Sequence, residues 1–141
     1  MADNHSKETR SYNMSRVKGK NTKPELLVRK FLFSKGFRFR LHDKNLPGKP
    51  DIILPKYKTI VFINGCFWHG HENCTYAAIP KTRTEWWHAK ISNNICRDQS
   101  AQDKLRGEGW QVIVIWGCDL KLKQRVKTLE ELSNKITSSK T

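Results

Sequence analysis

Apolar residues recur along this chain first at helical spacing, then in alternation, then in short continuous runs, and these changes of period mark its elements. Residues 1–21 are polar, carry Arg10, Arg16, Lys18 and Lys20, and show no apolar period. They predict a flexible basic arm that orders on a phosphate backbone. Thr22-Lys23-Pro24-Glu25 reads as a capping box with Pro in the first turn. Leu26, Leu27, Lys30, Phe31 and Ser34 continue a helix as far as Gly36, a residue suited to ending it. Phe37, Phe39 and Leu41 alternate with Arg38 and Arg40, the pattern of a half-exposed strand. Pro47-Gly48 marks a turn. Asp51-Ile52-Ile53-Leu54 and Ile60-Val61-Phe62-Ile63-Asn64 then form a predicted hairpin joined by Pro55 to Lys58. A second capping box, Thr82-Arg83-Thr84-Glu85, opens a long helix through Trp86, Trp87, Ile91, Ile95, Asp98, Ala101 and Leu105, ending near Gly107 and Gly109. Val112-Ile113-Val114-Ile115 is a continuous apolar run and predicts a central strand buried on both faces. Residues 124–136 predict a last short helix, before a polar tail at 137–141. The order α-β-β-β-α-β-α describes an α/β domain over residues 22–136, a mixed sheet flanked by helices.

The chain has 141 residues, enough for one real core with basic extensions. Its 27 Lys and Arg against 13 Asp and Glu give a net charge of +14, which favours a polyanionic partner. Ribosomal and histone-like proteins share that charge, so it names a partner and no reaction. No run of 18 apolar residues exists and the N-terminus is polar, so neither a membrane span nor a secretory signal is expected. Its four cysteines then read better as thiolate ligands than as two disulfides.

Cys66, His71 and Cys74 follow C-x4-H-x2-C spacing, and Cys118 lies in a second β-like segment, Ile115-Trp116-Gly117-Cys118-Asp119. Three thiolates and one imidazole suit a structural, tetrahedral Zn²⁺ that pins distant segments together. Cys96 falls at a helix position among polar residues and is not needed. His69 lies inside the same segment and is also spare.

Asp51 begins a strand that is otherwise apolar. Alone it reads as a turn aspartate; one strand before His69, it suits the oxygen coordination of Mg²⁺. Many Mg²⁺ nucleases carry Glu-x-Lys on the next strand, whereas Phe62-Ile63-Asn64-Gly65 supplies neither group. A backbone carbonyl could replace the acid, and an imidazole could take the proton from water. His69 is the candidate for that base, and it serves equally as a neighbour of the zinc or an alternate zinc ligand. Glu25 is explained by the capping box alone, although it could also hold a metal-bound water. Phe67-Trp68 suits core packing or a rigid wedge; wedging costs a few kcal/mol of unstacking, less at a mismatch. Trp86 and Trp87 are expected to split, one ring to the core and the other to the surface.

Several motifs in register are similar to those of very short patch repair (Vsr) endonucleases. They are Asn13-Met14-Ser15-Arg16, Leu46-Pro47-Gly48-Lys49-Pro50-Asp51, Gly65-Cys66-Phe67-Trp68-His69, Thr82-Arg83-Thr84-Glu85-Trp86-Trp87, and Gly109-Trp110 with Trp116-Gly117-Cys118. The resemblance implies a fold like type II restriction endonucleases and a nick 5′ to the thymine of a T:G mismatch left by 5-methylcytosine deamination. It implies that Asp51 binds Mg²⁺, two ions in all, with help from the backbone carbonyl of Ile63. His69 would be the general base and Glu25 would hold metal-bound water. Cys66, His71, Cys74 and Cys118 would hold Zn²⁺. Phe67, Trp68 and Met14 would intercalate beside the mismatch, and Lys90, Asn94 and Asp98, at i, i+4 spacing, would lie near the DNA or the active site.

Two positions depart from the best-known pattern. Asn64 stands where a second histidine supports the active site, and the gap from His71 to Cys74 is one residue longer. A monomer suffices for a single-strand nick, and a bacterial cytoplasmic, nucleoid-associated location goes with the resemblance. Two alternatives stand beside it: a restriction-type nuclease on paired duplex, and a non-catalytic zinc DNA-binding module.

Overall fold

The fold was obtained as a computed structural model, which describes residues 22–138. The proposed arm, including Met14, lies outside the described residues. Helix α1 spans Lys23–Ser34, and the Thr22 hydroxyl caps it by accepting the Glu25 N–H at 3.4 Å. Gly36, at φ +87°, takes the left-handed turn that ends the helix. Strand β1 is only Arg40–Leu41, followed by β2 at Ile52–Leu54 and β3 at Thr59–Asn64. Helix α2 runs from Thr84 to Gly107, strand β4 from Gln111 to Trp116, and helix α3 from Arg125 to Ser138.

The sheet order is β1-β2-β3-β4, with β1–β2 and β2–β3 antiparallel and β3–β4 parallel. This is the mixed sheet expected, in a mixed α/β fold. Alternation along the strands divides the core. Ile52, Leu54, Val61, Ile113 and Ile115 meet Val28 and Leu32 of α1 and Leu129, Leu132 and Ile136 of α3 on one face. Ile53, Ile60 and Phe62 meet Leu105 of α2 on the other. Burying both faces accounts for the continuous apolar runs.

Three expectations need correction. Val112–Ile115 forms an edge strand, not a central one, because among the described residues β4 pairs only with β3. Helices cover its two faces, so its composition matches that of an interior strand. The alternating run from Phe37 pairs only at Arg40–Leu41. Pro55, opening a short 3-10 turn immediately after β2, offers no backbone N–H to extend the ladder. The second capping box does not form: Arg83 precedes α2 in a left-handed conformation with no side-chain cap, and the Thr84 hydroxyl donates back to the carbonyls of Pro80 and Lys81. No helix among the described residues is long and apolar enough to cross a membrane.

Candidate functional site

The parallel register of β3 and β4 builds the cysteine site. Asn64 is level with Trp116, so the two strands end together. Two residues further on in each lie Cys66 and Cys118, where the Cys118 N–H donates to Cys66 Sγ at 3.4 Å. The loop after Cys66 turns tightly, with the His71 N–H donating to the Cys66 carbonyl at 3.0 Å. This carries His71 to within 3.5 Å of Cys118 Sγ through its Nδ1. The ligand atoms of Cys66, His71, Cys74 and Cys118 all lie within 4.8 Å of one another, so the set could hold a metal ion. Burial pushes the Cys118 thiol up to about 12, and the adjacent Cys66 adds to the rise. A coordinated cation is what would deprotonate such a thiol. The His71 ring stacks on Trp116 at 4.1 Å, which fixes its plane. Cys96 is exposed on α2, outside the cluster.

Gly70 lets this loop approach α2. Its φ is +62°, and an added Cβ would lie 2.7 Å from Ile91 Cγ2 and 2.6 Å from Ile95 Cδ1. Across that contact, one face of α2 grips the loop twice. Asn94 Nδ2 donates to the Trp68 carbonyl at 2.8 Å, and Asp98 Oδ2 lies 2.6 Å from His69 Nδ1. Lys90, one turn before Asn94, is exposed. Phe67 and Trp68 are half-buried and pack on Trp87, with ring centroids 5.1 and 5.8 Å away. Trp86 is exposed, under the Arg83 guanidinium at 4.7 Å. The two tryptophans therefore do divide, although Trp87 joins the loop aromatics and not the deep core.

A second cluster forms where β2 begins. Asp51 Oδ2 accepts the Ile63 N–H at 2.7 Å. A strand residue directs its N–H and C=O to the same neighbour, so the Ile63 carbonyl also faces the Asp51 side. Glu25, nearly fully buried on α1, and His42, just after β1, bring ligand atoms within 4.8 Å of each other and of Asp51. Burial raises Asp51 to about 6, opposed by the Ile63 N–H and augmented by the like charge of Glu25. His69 is near enough to pull it the other way. Thus Asp51, Glu25 and the Ile63 backbone form one cluster with His69 nearby, separate from the cysteine site. Asn64 is buried at the end of β3, between the two sites in sequence.

Sequence reasoning missed His42 and Arg29. Arg29 Nη2 donates to Glu25 Oε2 at 2.9 Å and lies 2.9 Å from His42 Nε2. The i, i+4 relation of Glu25 and Arg29 was a readable signal for an ion pair. A lone histidine in a loop gave none.

The family model described as DNA mismatch endonuclease Vsr matches residues 2–75. Among curated relatives, the type II nicking enzyme V.XorIIP of Xanthomonas oryzae pv. oryzae is 49% identical over 120 residues, 85% of this chain and 88% of that protein. The type II nicking enzyme V.NmeAIP of Neisseria meningitidis is 51% identical over 123 residues, 87% of each chain. DNA mismatch endonuclease Vsr of Escherichia coli is 38% identical over 136 residues, 96% of this chain and 86% of that protein. With a family model matched over more than half of its length and relatives of this similarity, the chain belongs to the Vsr family of DNA mismatch endonucleases.

Proposed function

We propose that this protein is a Mg²⁺-dependent, strand-specific endonuclease that nicks 5′ to the thymine of a T:G mismatch arising from 5-methylcytosine deamination. The observation that carries the reading is the clustering of Asp51 with Glu25, with His69 close enough to act on the Asp51 charge. Two nearby carboxylates and an inward-facing backbone carbonyl form a hard oxygen donor set, which suits Mg²⁺. Bound there, Mg²⁺ supplies Lewis-acid polarisation of the scissile phosphate.

The remaining roles fall to the chain itself. A carboxylate only accepts, so Asp98 keeps the His69 hydrogen on Nδ1 and leaves Nε2 with a lone pair for a water proton. Glu25 orients that water. Asn94 fixes the Trp68 carbonyl, so Phe67 and Trp68 enter the DNA as one braced wedge. Unstacking costs a few kcal/mol and least at a mismatch, which makes the wedge a source of selectivity. Met14, carried by the arm at 1–21, would intercalate beside the mismatch with Phe67 and Trp68. Lys90 and the net charge of +14 attract the phosphate backbone. Asn64, buried at the end of β3, would support the site where the family pattern has histidine.

Zn²⁺ is the ion that suits Cys66, His71, Cys74 and Cys118. A tetrahedral zinc with these ligands sets sulfur–nitrogen and sulfur–sulfur separations of about 3.5–3.8 Å. The spacing of Cys118 and His71, 3.5 Å, agrees. Its role is to fold the recognition loop, outside the chemistry. The mixed sheet with helices on both faces is compatible with a restriction-endonuclease-like domain over residues 22–136. A monomer in the bacterial cytoplasm, associated with the nucleoid, fits this activity.

The test is a strand-labelled duplex bearing one T:G pair, incubated with the protein and Mg²⁺ beside its T:A counterpart. A nick on the thymine strand of the mismatched duplex alone is expected. No nick at any flanking sequence contradicts the proposal, and equal cutting of both duplexes favours a restriction-type nuclease.

A further inference from the structure

We propose that Arg29 and His42 are positioning residues of the hydrolytic centre: His42 holds the Arg29 guanidinium in place, and Arg29 holds Glu25 against Asp51. The inference rests on the reading that Asp51 and Glu25 form that centre.

Glu25 is nearly fully buried and faces another carboxylate, so its charge needs a compensating donor. Arg29 supplies it from one turn further along α1, with Nη2 2.9 Å from Glu25 Oε2. An arginine side chain has many rotamers, and nothing in the i, i+4 spacing alone stops the guanidinium from reaching across to both carboxylates. His42 restrains it. Its Nε2 lies 2.9 Å from the same Nη2, and 3.4 Å from Glu25 Oε2. A guanidinium has no acceptor, so His42 Nε2 accepts and the neutral ring carries its hydrogen on Nδ1. The two N–H groups of one nitrogen are thereby divided between Glu25 and His42.

The backbone at His42 adds a second observation. Its φ of +49° is left-handed, a conformation disfavoured by its Cβ and retained where surrounding structure or function demands it. The imidazole side chain is mostly buried, beside Glu25. The pair therefore does two things: it keeps Glu25 aimed, and it keeps a permanent cation from occupying the place that a divalent ion needs. Without His42, the Nη2 N–H that it accepts would be released beside the place that the ion needs.

The experiment titrates the zinc-loaded full-length protein with Mn²⁺, reading the free ion by electron paramagnetic resonance, and compares H42A, H42Q and R29Q/H42A with wild type. The melting temperature of each variant is recorded alongside. H42A is expected to bind Mn²⁺ about 10–100-fold more weakly, the usual cost of losing a group that orients a ligand. H42Q, whose amide oxygen accepts the same Arg29 N–H, is expected to stay close to wild type. R29Q/H42A, lacking the competing cation, is expected to bind better than H42A. H42A binding as tightly as wild type would overturn the proposal, as would H42Q binding as poorly as H42A, which would mean that the imidazole itself meets the ion. A folded wild-type protein that binds no Mn²⁺ would overturn the reading of Asp51 itself, and this inference with it.

Discussion

His69 and Asp98 meet through a 2.6 Å contact between Nδ1 and Oδ2, across 29 residues of sequence. One residue of the contact is on the loop that the cysteine cluster closes, and the other is on α2. The imidazole orientation is thus set by a contact between the loop and α2.

If His69 is the base, His69→Ala should slow single-turnover nicking by about 10²–10⁴-fold, the usual worth of general base catalysis. Asp98→Asn should slow it by a smaller factor while DNA affinity is kept. Single-turnover rates on a labelled T:G duplex check both. An unchanged rate for His69→Ala would remove the imidazole from the mechanism.

Asp51 predicts a pH dependence. Its folded value of about 6 lies above the ordinary 3.8, so burying the anion costs stability above pH 6. That cost fades as pH falls from about 6 to 3.8, and a shift of this size corresponds to about 3 kcal/mol. A divalent ion offsets the same cost and competes with the proton. Mg²⁺ should therefore raise the melting temperature clearly at pH 8 and hardly at pH 5, with the gain growing through pH 6. Asp51→Asn should lose both the gain and its pH dependence. Equal stabilisation by Mg²⁺ at the two pH values would show that the ion binds elsewhere.

Cys118→Ser should lower zinc content and melting temperature together, since it removes the thiol by which the end of β4 joins His71 and the loop after β3 in the cluster. Removal of zinc by a chelator should reproduce the variant's melting temperature in the wild-type protein. Unchanged metal content and stability would mean that these four residues hold no ion.

Much of this was legible in side-chain type and spacing. Cys66, His71, Cys74 and Cys118 are few, chemically distinctive and correctly spaced, and the fold brings all of them together. The i, i+4 spacing of Asn94 and Asp98 put them on one face of α2, and both reach the loop. The edge position of β4 was hidden because an apolar run records burial of two faces and says nothing about strand neighbours. The failed capping box at Thr82 shows local preference yielding to the path of the chain, which turns left-handed at Arg83. His42 was invisible because its partners, Arg29 and Glu25, lie on an element distant in sequence, and only the sheet brings them together.

Asp51→Ala, assayed on one labelled T:G duplex for both nicking with Mg²⁺ and binding without it, tests the hydrolytic centre most directly. Nicking should disappear while the affinity of the folded variant for the duplex stays near that of wild type. Nicking at the wild-type rate by the folded variant would place the chemistry elsewhere in the molecule.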